Sequence, residues 1–163
     1  TISWTIPEIS FSSKNIIELN EHFLSLLNTF IKELLEEFEC GNRSCSLLIC
    51  DNIFIQKLNQ QYRQKNCSTD VLSFAFDDEN EFILAESSLG DIIISSETAF
   101  NQSQEFQVSY EEEFIRLTIH GVLHLLGFDH ELGKKEEIEM FDLQDYYMQT
   151  FMQKYNGTDS ALI

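Results

Sequence analysis

The sequence holds one proline and six glycines in 163 residues, with no low-complexity tract and no internal repeat. That composition excludes collagenous, linker-rich and disordered classes. Long apolar runs are missing too: the longest helical pattern is interrupted by Glu21, His22, Lys32 and Glu33, so no segment reads as membrane-spanning. Thr1 to Ser10 lacks a basic stretch followed by an apolar core, so no secretory signal is expected. None of the four cysteines (Cys40, Cys45, Cys50 and Cys67) forms a C-x-x-C pair, and the spacing of Cys45 and Cys50 matches no zinc knuckle. Cys50 closes an apolar run and reads as a buried thiol. Unpaired thiols suit a reducing compartment, and the expected location is the cytoplasm. Basic residues are scarcest of all. Ten face 28 acids, for a formal net charge of −18. Such a surface repels polyanions at long range and argues against a broad nucleic-acid-binding face. A short, locally positive cleft stays compatible with it.

The length suits a single domain over residues 1–163 with a core of its own. Residues 2–9 alternate around Trp4 and Ile6 as an opening strand. A helical stripe from Ile16 through Phe23, Leu27, Phe30, Ile31 and Leu34 to Phe38 predicts a helix over 15–39, stopped by Gly41. Ser46–Cys50 reads as a strand. Asp51 or Asn52 would cap a helix to about Tyr62, and residues 63–70 form a polar loop. Strands are expected at Val71–Phe76, Phe82–Ala85 and Asp91–Ser95, and a short helix over 96–105. Ser109 and Glu112 make a capping box that opens a helix from Tyr110 to Leu126, ended by Gly127. A last helix runs from Lys134 to Tyr155, with Ile138, Phe141, Met148, Phe151, Met152 and Tyr155 available to its buried side. Strands and helices mix without strict alternation. The expected class is α+β: a small mixed sheet of about four strands, packed with helices.

Three of the four histidines fall within eleven residues: His120-Gly-Val-Leu-His124-Leu-Leu-Gly127-Phe-Asp-His130. On a helix, His120 and His124 project from one face a turn apart. Gly127 supplies the left-handed turn, and His130 comes back as a third nitrogen. Three protein ligands leave one metal position open, which is the catalytic rather than the structural arrangement for zinc. Val122, Leu123, Leu125 and Leu126 would bury the rest of the helix. Asp91, Asp129 or Glu131 could accept from a ligand's other ring nitrogen. A histidine pair at this spacing is often only surface; all three with the intervening glycine are much harder to obtain by accident. His22, alone in the first helix, reads as an ordinary surface or core residue.

The same spacing occurs in metzincin proteases, which carry a glutamate base directly after the first histidine. Here that residue is Gly121, which has no side chain to take up a proton. The full string instead resembles the hallmark of the bacterial YbeY endoribonuclease family. That family also carries a segment seen here as Tyr62-Arg63-Gln-Lys65-Asn-Cys-Ser-Thr69-Asp70-Val71-Leu72-Ser73-Phe74, and another seen as Leu89-Gly90-Asp91-Ile92. The resemblance covers roughly residues 46–145. Two departures stand out. Ser68 replaces a usual proline before the Thr-Asp pair, and Gln144 stands in the last helix near Met140, where a glutamate is common. Neither is expected to touch the ligands.

The resemblance implies a zinc-dependent endoribonuclease for single-stranded RNA. The implied work is maturation of ribosomal RNA at the 3′ end of the small-subunit species, and ribosome quality control. It implies a four-stranded sheet beside the metal helix, one zinc per chain on His120, His124 and His130, and a functional role for Arg63. Arg63 could brace the scissile phosphate with its planar fork. Lys65 and Arg116 are weaker substrate-binding candidates. Apart from the resemblance, Arg63 and Lys65 would read as a solvated loop. With so acidic a surface, RNA is expected to need presentation by a ribosomal protein or another ribosome-associated factor. The competing readings are a zinc hydrolase of peptides or amides, and a non-catalytic metal-stabilised ribosome-associated factor.

Overall fold

The computed structural model describes residues 2–5, 17–41, 43–64, 69–75 and 88–158. Four strands, β1 (Ile2–Thr5), β2 (Ser44–Cys50), β3 (Val71–Ala75) and β4 (Ser88–Ser95), form one sheet in the order β1-β2-β4-β3. β1, β2 and β4 run parallel, and β3 pairs antiparallel with β4, so the sheet is mixed. Five helices complete the described chain: α1 (Glu21–Glu37), α2 (Asn52–Arg63), α3 (Ser96–Phe106), α4 (Tyr110–Leu125) and α5 (Lys134–Thr158). The class is α+β, as the mixed pattern predicts. Lys65, Cys67, Ser68, Phe76 and the expected strand Phe82–Ala85 lie outside the described residues.

Alternation along the strands splits the interior into two layers. Leu47 and Ile49 of β2 and Ile92 and Ile94 of β4 join the main core with α1, α4 and α5. Their neighbours Cys50, Leu72 and Ile93 turn to the opposite face and pack on Ile55 of α2. Successive strand side chains point to opposite faces, so one run of residues feeds both layers. Burial pushes the Cys45 thiol up to about 11 and the Cys50 thiol up to about 12, which leaves both inert at neutral pH.

Local signals account for the helix ends, with some corrections. Asn20 caps α1, whose buried stripe includes Phe23, Leu27, Phe30, Ile31 and Leu34. The helix stops before Gly41: Glu39 takes the left-handed conformation at φ 61°, and the Cys40 amide returns to the Leu35 carbonyl at 2.8 Å. Asp51 is the cap of α2, accepting the Phe54 amide at 3.0 Å. Arg63 is the last residue of that helix rather than a loop residue, because Gln64 at φ 57° ends the helix one residue later than expected. On α5 the buried residues are Met140, Gln144, Tyr147, Phe151 and Tyr155. Ile138, expected on that side, is 51% exposed, since two residues before Met140 it falls on the opposite face of the helix.

Candidate metal centre

α4 carries the centre of the site and runs against the sheet. Ser109 opens it, with the Glu112 amide donating to its hydroxyl at 3.0 Å. Gly121 is the point of closest approach to the sheet. A Cβ there would lie 2.8 Å from Cγ2 of Ile92 and 3.2 Å from the hydroxyl of Ser73. Ile92 is a fully buried, β-branched residue with little freedom to move. The missing side chain thus lets the helix sit on β4 and β3, and this position faces the sheet rather than the histidines.

The end of α4 then builds the turn that returns the third histidine. The Phe128 amide donates to the Leu123 carbonyl at 3.1 Å, and the Gly127 amide to that of His124 at 3.0 Å. This is a Schellman closure with Gly127 at φ 102° as its left-handed residue. It brings His130 back so that one ligating nitrogen each of His120, His124 and His130 lies within 4.8 Å of the other two.

The donor set fits a metal ion. Nε2 of His120 faces Nε2 of His124 at 3.1 Å. Two nitrogens bound at tetrahedral angles to one zinc, each about 2.0–2.1 Å from it, would stand ~3.3 Å apart. Nδ1 of His130 is buried without a hydrogen-bond partner, an orphan that a nitrogen ligand set explains better than a packed core does. Burial, with the His120 and His130 rings alongside, pulls His124 down from 6.5 to about 4. Burial likewise lowers His120, against the opposing hydrogen bond from Gln144. Both rings are therefore neutral at pH 7, as metal ligands must be. Three histidines can hold an ion here, and Phe141 packs its ring against His120 and His130 at 6.2 and 5.7 Å.

The histidines open on a cleft of ≈ 640 Å³ between α4, the outer edge of β3 and the end of α2. Arg63 reaches this cleft from the last turn of α2. Its Nη2 donates to the Ser73 carbonyl at 2.8 Å, and its guanidinium lies over the Phe74 ring at 5.5 Å. Arg116 lines the opposite part, yet its Nε and Nη2 both donate to the buried carboxylate of Glu113. Asp129 stands on the cleft wall, where its carboxylate accepts the Glu131 amide at 2.8 Å. Asp91 is placed elsewhere: on β4 it accepts the hydroxyl of Ser46. Lys65 lies outside the described residues.

The partner of His120 is a residue that sequence reasoning set aside. Nδ1 of His120 meets Oε1 of Gln144 at 2.7 Å, and Gln144 is 3% exposed. Gln144 does touch the histidine cluster, contrary to expectation, and occupies the place considered for Asp91, Asp129 or Glu131. The available signal was a polar residue on the same helical stripe as Met140, Tyr147 and Phe151. What could not be read was the packing of α5 over α4, 24 residues away in the chain. Tyr62 was also passed over: its ring is 60% exposed and meets Phe74 edge-on at 5.4 Å, beside Arg63.

The chain is similar to known proteins over most of its length. A family model described as Endoribonuclease YbeY matches residues 8–152. The chain is 39% identical over 142 residues to the endoribonuclease YbeY of Borreliella afzelii, covering 84% of this chain and 93% of that one. It is 42% identical over 121 residues to that of Treponema denticola, covering 73% and 77%. A Thermotoga maritima protein solved in solution shares the fold with a TM-score of 0.65 and 27% identity, over 99% of this chain and 95% of that one.

Proposed function

The chain belongs to the YbeY endoribonuclease family, and on that footing we propose that it is a zinc-dependent endoribonuclease that cuts single-stranded RNA. The proposed work is maturation of ribosomal RNA at the 3′ end of the small-subunit species, and ribosome quality control, in the cytoplasm. Among the described residues no helix is long and apolar enough to cross a membrane. The observation that carries the reading is the convergence of three histidines and Arg63 on one cleft.

His120, His124 and His130 would hold one zinc ion per chain. Bound there, zinc supplies a Lewis acid for a phosphoryl oxygen and lowers the pKa of a coordinated water toward about 7. The protein's part is placement and charge. Arg63, held by the Ser73 carbonyl and by Phe74, presents its remaining donors to a phosphate in the cleft. Arg116 lines the wall, but its charge is balanced by Glu113. The exposed ring of Tyr62 offers a stacking face to an unpaired base beyond the β3 edge.

This division also accommodates the net charge of −18. Neutral imidazoles leave the ion's charge uncompensated, so the metal end of the cleft would be locally positive although Asp70, Asp129 and Glu131 also line it. Free RNA should bind weakly, and a ribosomal protein or another ribosome-associated factor is the proposed means of presenting it. The test is incubation of zinc-loaded protein with matched single-stranded and fully paired RNA, beside a His120→Ala preparation purified identically. Selective cutting of the single strand, lost in the variant, is expected. Equal cutting by the variant would assign the activity to a contaminant.

A further inference from the structure

Gln144 is the one fully packed polar side chain of α5 among the described residues, and its amide oxygen meets the outer ring nitrogen, Nδ1, of His120 at 2.7 Å. Met140 and Tyr147, one turn to either side of it, are both buried, so the helix face that carries the amide is clamped against α4. The Nε2 atoms of His120 and His124 face each other, which makes Nε2 the ligating nitrogen of His120. Its Nδ1 then carries the ring hydrogen, and only the oxygen of the Gln144 amide can accept it. The chemistry of the ring thus settles which way the amide points.

We infer that Gln144 is the positioning residue of the metal centre: its amide oxygen fixes the Nδ1–H tautomer of His120 and aims Nε2 at the ion, without adding charge. The inference rests on the metal-binding reading above. A ring free to rotate or to exchange tautomers would present its ligating nitrogen only part of the time. Locking it in advance removes that cost from metal binding. A carboxylate at this place would hold the ring equally well. It would also bury a negative charge beside a neutral imidazole whenever the ion is absent, and offset part of the ion's charge whenever it is present. The neutral amide lets the metal-free site stay packed and leaves the bound ion's charge undiminished toward phosphate.

The experiment compares wild type with Gln144→Leu and Gln144→Glu. Zinc affinity is read by competition with a chromogenic chelator, fold by circular dichroism, and the His120 tautomer in metal-free protein by imidazole nitrogen resonances. Gln144→Leu should bind zinc about 10–100-fold more weakly and show a tautomer mixture at His120. Gln144→Glu, which keeps the acceptor and adds charge, should bind at least as tightly as wild type. Wild-type zinc affinity with an unchanged tautomer in Gln144→Leu would overturn the inference. So would a Gln144→Glu protein that folds yet binds as weakly as Gln144→Leu. If Gln144→Leu does not fold, a folded Gln144→Glu that binds zinc about 10-fold or more weakly than wild type overturns the inference, and one that binds at least as tightly upholds it. A wild-type protein that binds no zinc would instead sink the metal reading, and its His120 tautomer would still report whether Gln144 orients the ring.

Discussion

Arg116 grips Glu113 one turn earlier on α4, through Nε at 3.1 Å and through Nη2, while Glu113 is only 1% exposed. The arginine is therefore first a counter-ion for a buried carboxylate. Arg116→Ala should destabilise the protein by about 3 kcal/mol or more, because breaking a buried pair leaves one charge uncompensated. Removing both groups, as in Glu113→Leu with Arg116→Leu, should cost much less. Denaturant unfolding of the three proteins measures this, and a single variant as stable as wild type would contradict the counter-ion role.

Arg63 should behave in the opposite way. Its structural contacts are one hydrogen bond to an exposed strand edge and a ring face, so Arg63→Ala should cost about 1 kcal/mol. Zinc content should be unchanged, and RNA cleavage should fall about 100-fold or more if the guanidinium braces charge in the transition state. Arg63→Lys should restore only part, since an ammonium lacks the planar fork. Wild-type cleavage by Arg63→Ala would remove the residue from the mechanism.

Metal content should depend on every histidine of the cluster. Two nitrogens rarely hold zinc well, so His124→Ala, dialysed against a weak chelator, should retain far less than one ion per chain. Full occupancy measured by elemental analysis would mean that the ligands lie elsewhere.

The metal-free protein should lose stability on acidification. His124 titrates near 4 in the folded chain because of burial and its neighbouring rings, against about 6.5 when unfolded. Between those values the unfolded chain binds the extra proton, so stability is full above pH 6.5 and declines as the pH falls toward 4. The thermal midpoint followed across that window, with His124→Asn as the flatter control, checks the sign. Identical slopes in the two proteins would show that His124 is not responsible.

Placing a glutamate at position 121 should not create a peptidase. The missing Cβ is the space taken by Ile92 and Ser73, so Gly121→Glu should overpack the helix–sheet contact and bury a charge, costing upwards of ~3 kcal/mol. A stable Gly121→Glu protein with peptidase activity would reverse both the packing account and the preference for RNA.

The histidine cluster was legible because its geometry is local. Spacing of four on a helix, then a glycine turn, is a short-range instruction, and hydrogen bonds within eight residues carry it out. The starts of three helices were legible for the same reason: the stripe from Phe23 to Leu34, the cap at Asp51 and the cap at Ser109 each act within a few residues. Gly121 could be read only as the absence of a base. That the glycine also makes room for Ile92 became visible once the sheet was in place.

What tertiary structure alone decided lies between segments distant in the chain. Gln144 reaches His120 because α5 folds back over α4, and Arg63 finds Ser73 because α2 ends beside the edge of β3. The Arg116–Glu113 pair is local, three residues apart on one helix, but tertiary packing alone buries Glu113 and so ties up the arginine's fork. The chain by itself determined which residues can ligate a metal, since ligand spacing within one helical turn is set by covalent geometry. Packing decided which group orients a ligand and which substrate-side arginine is held where, because such contacts exist only when separate elements exclude water between them.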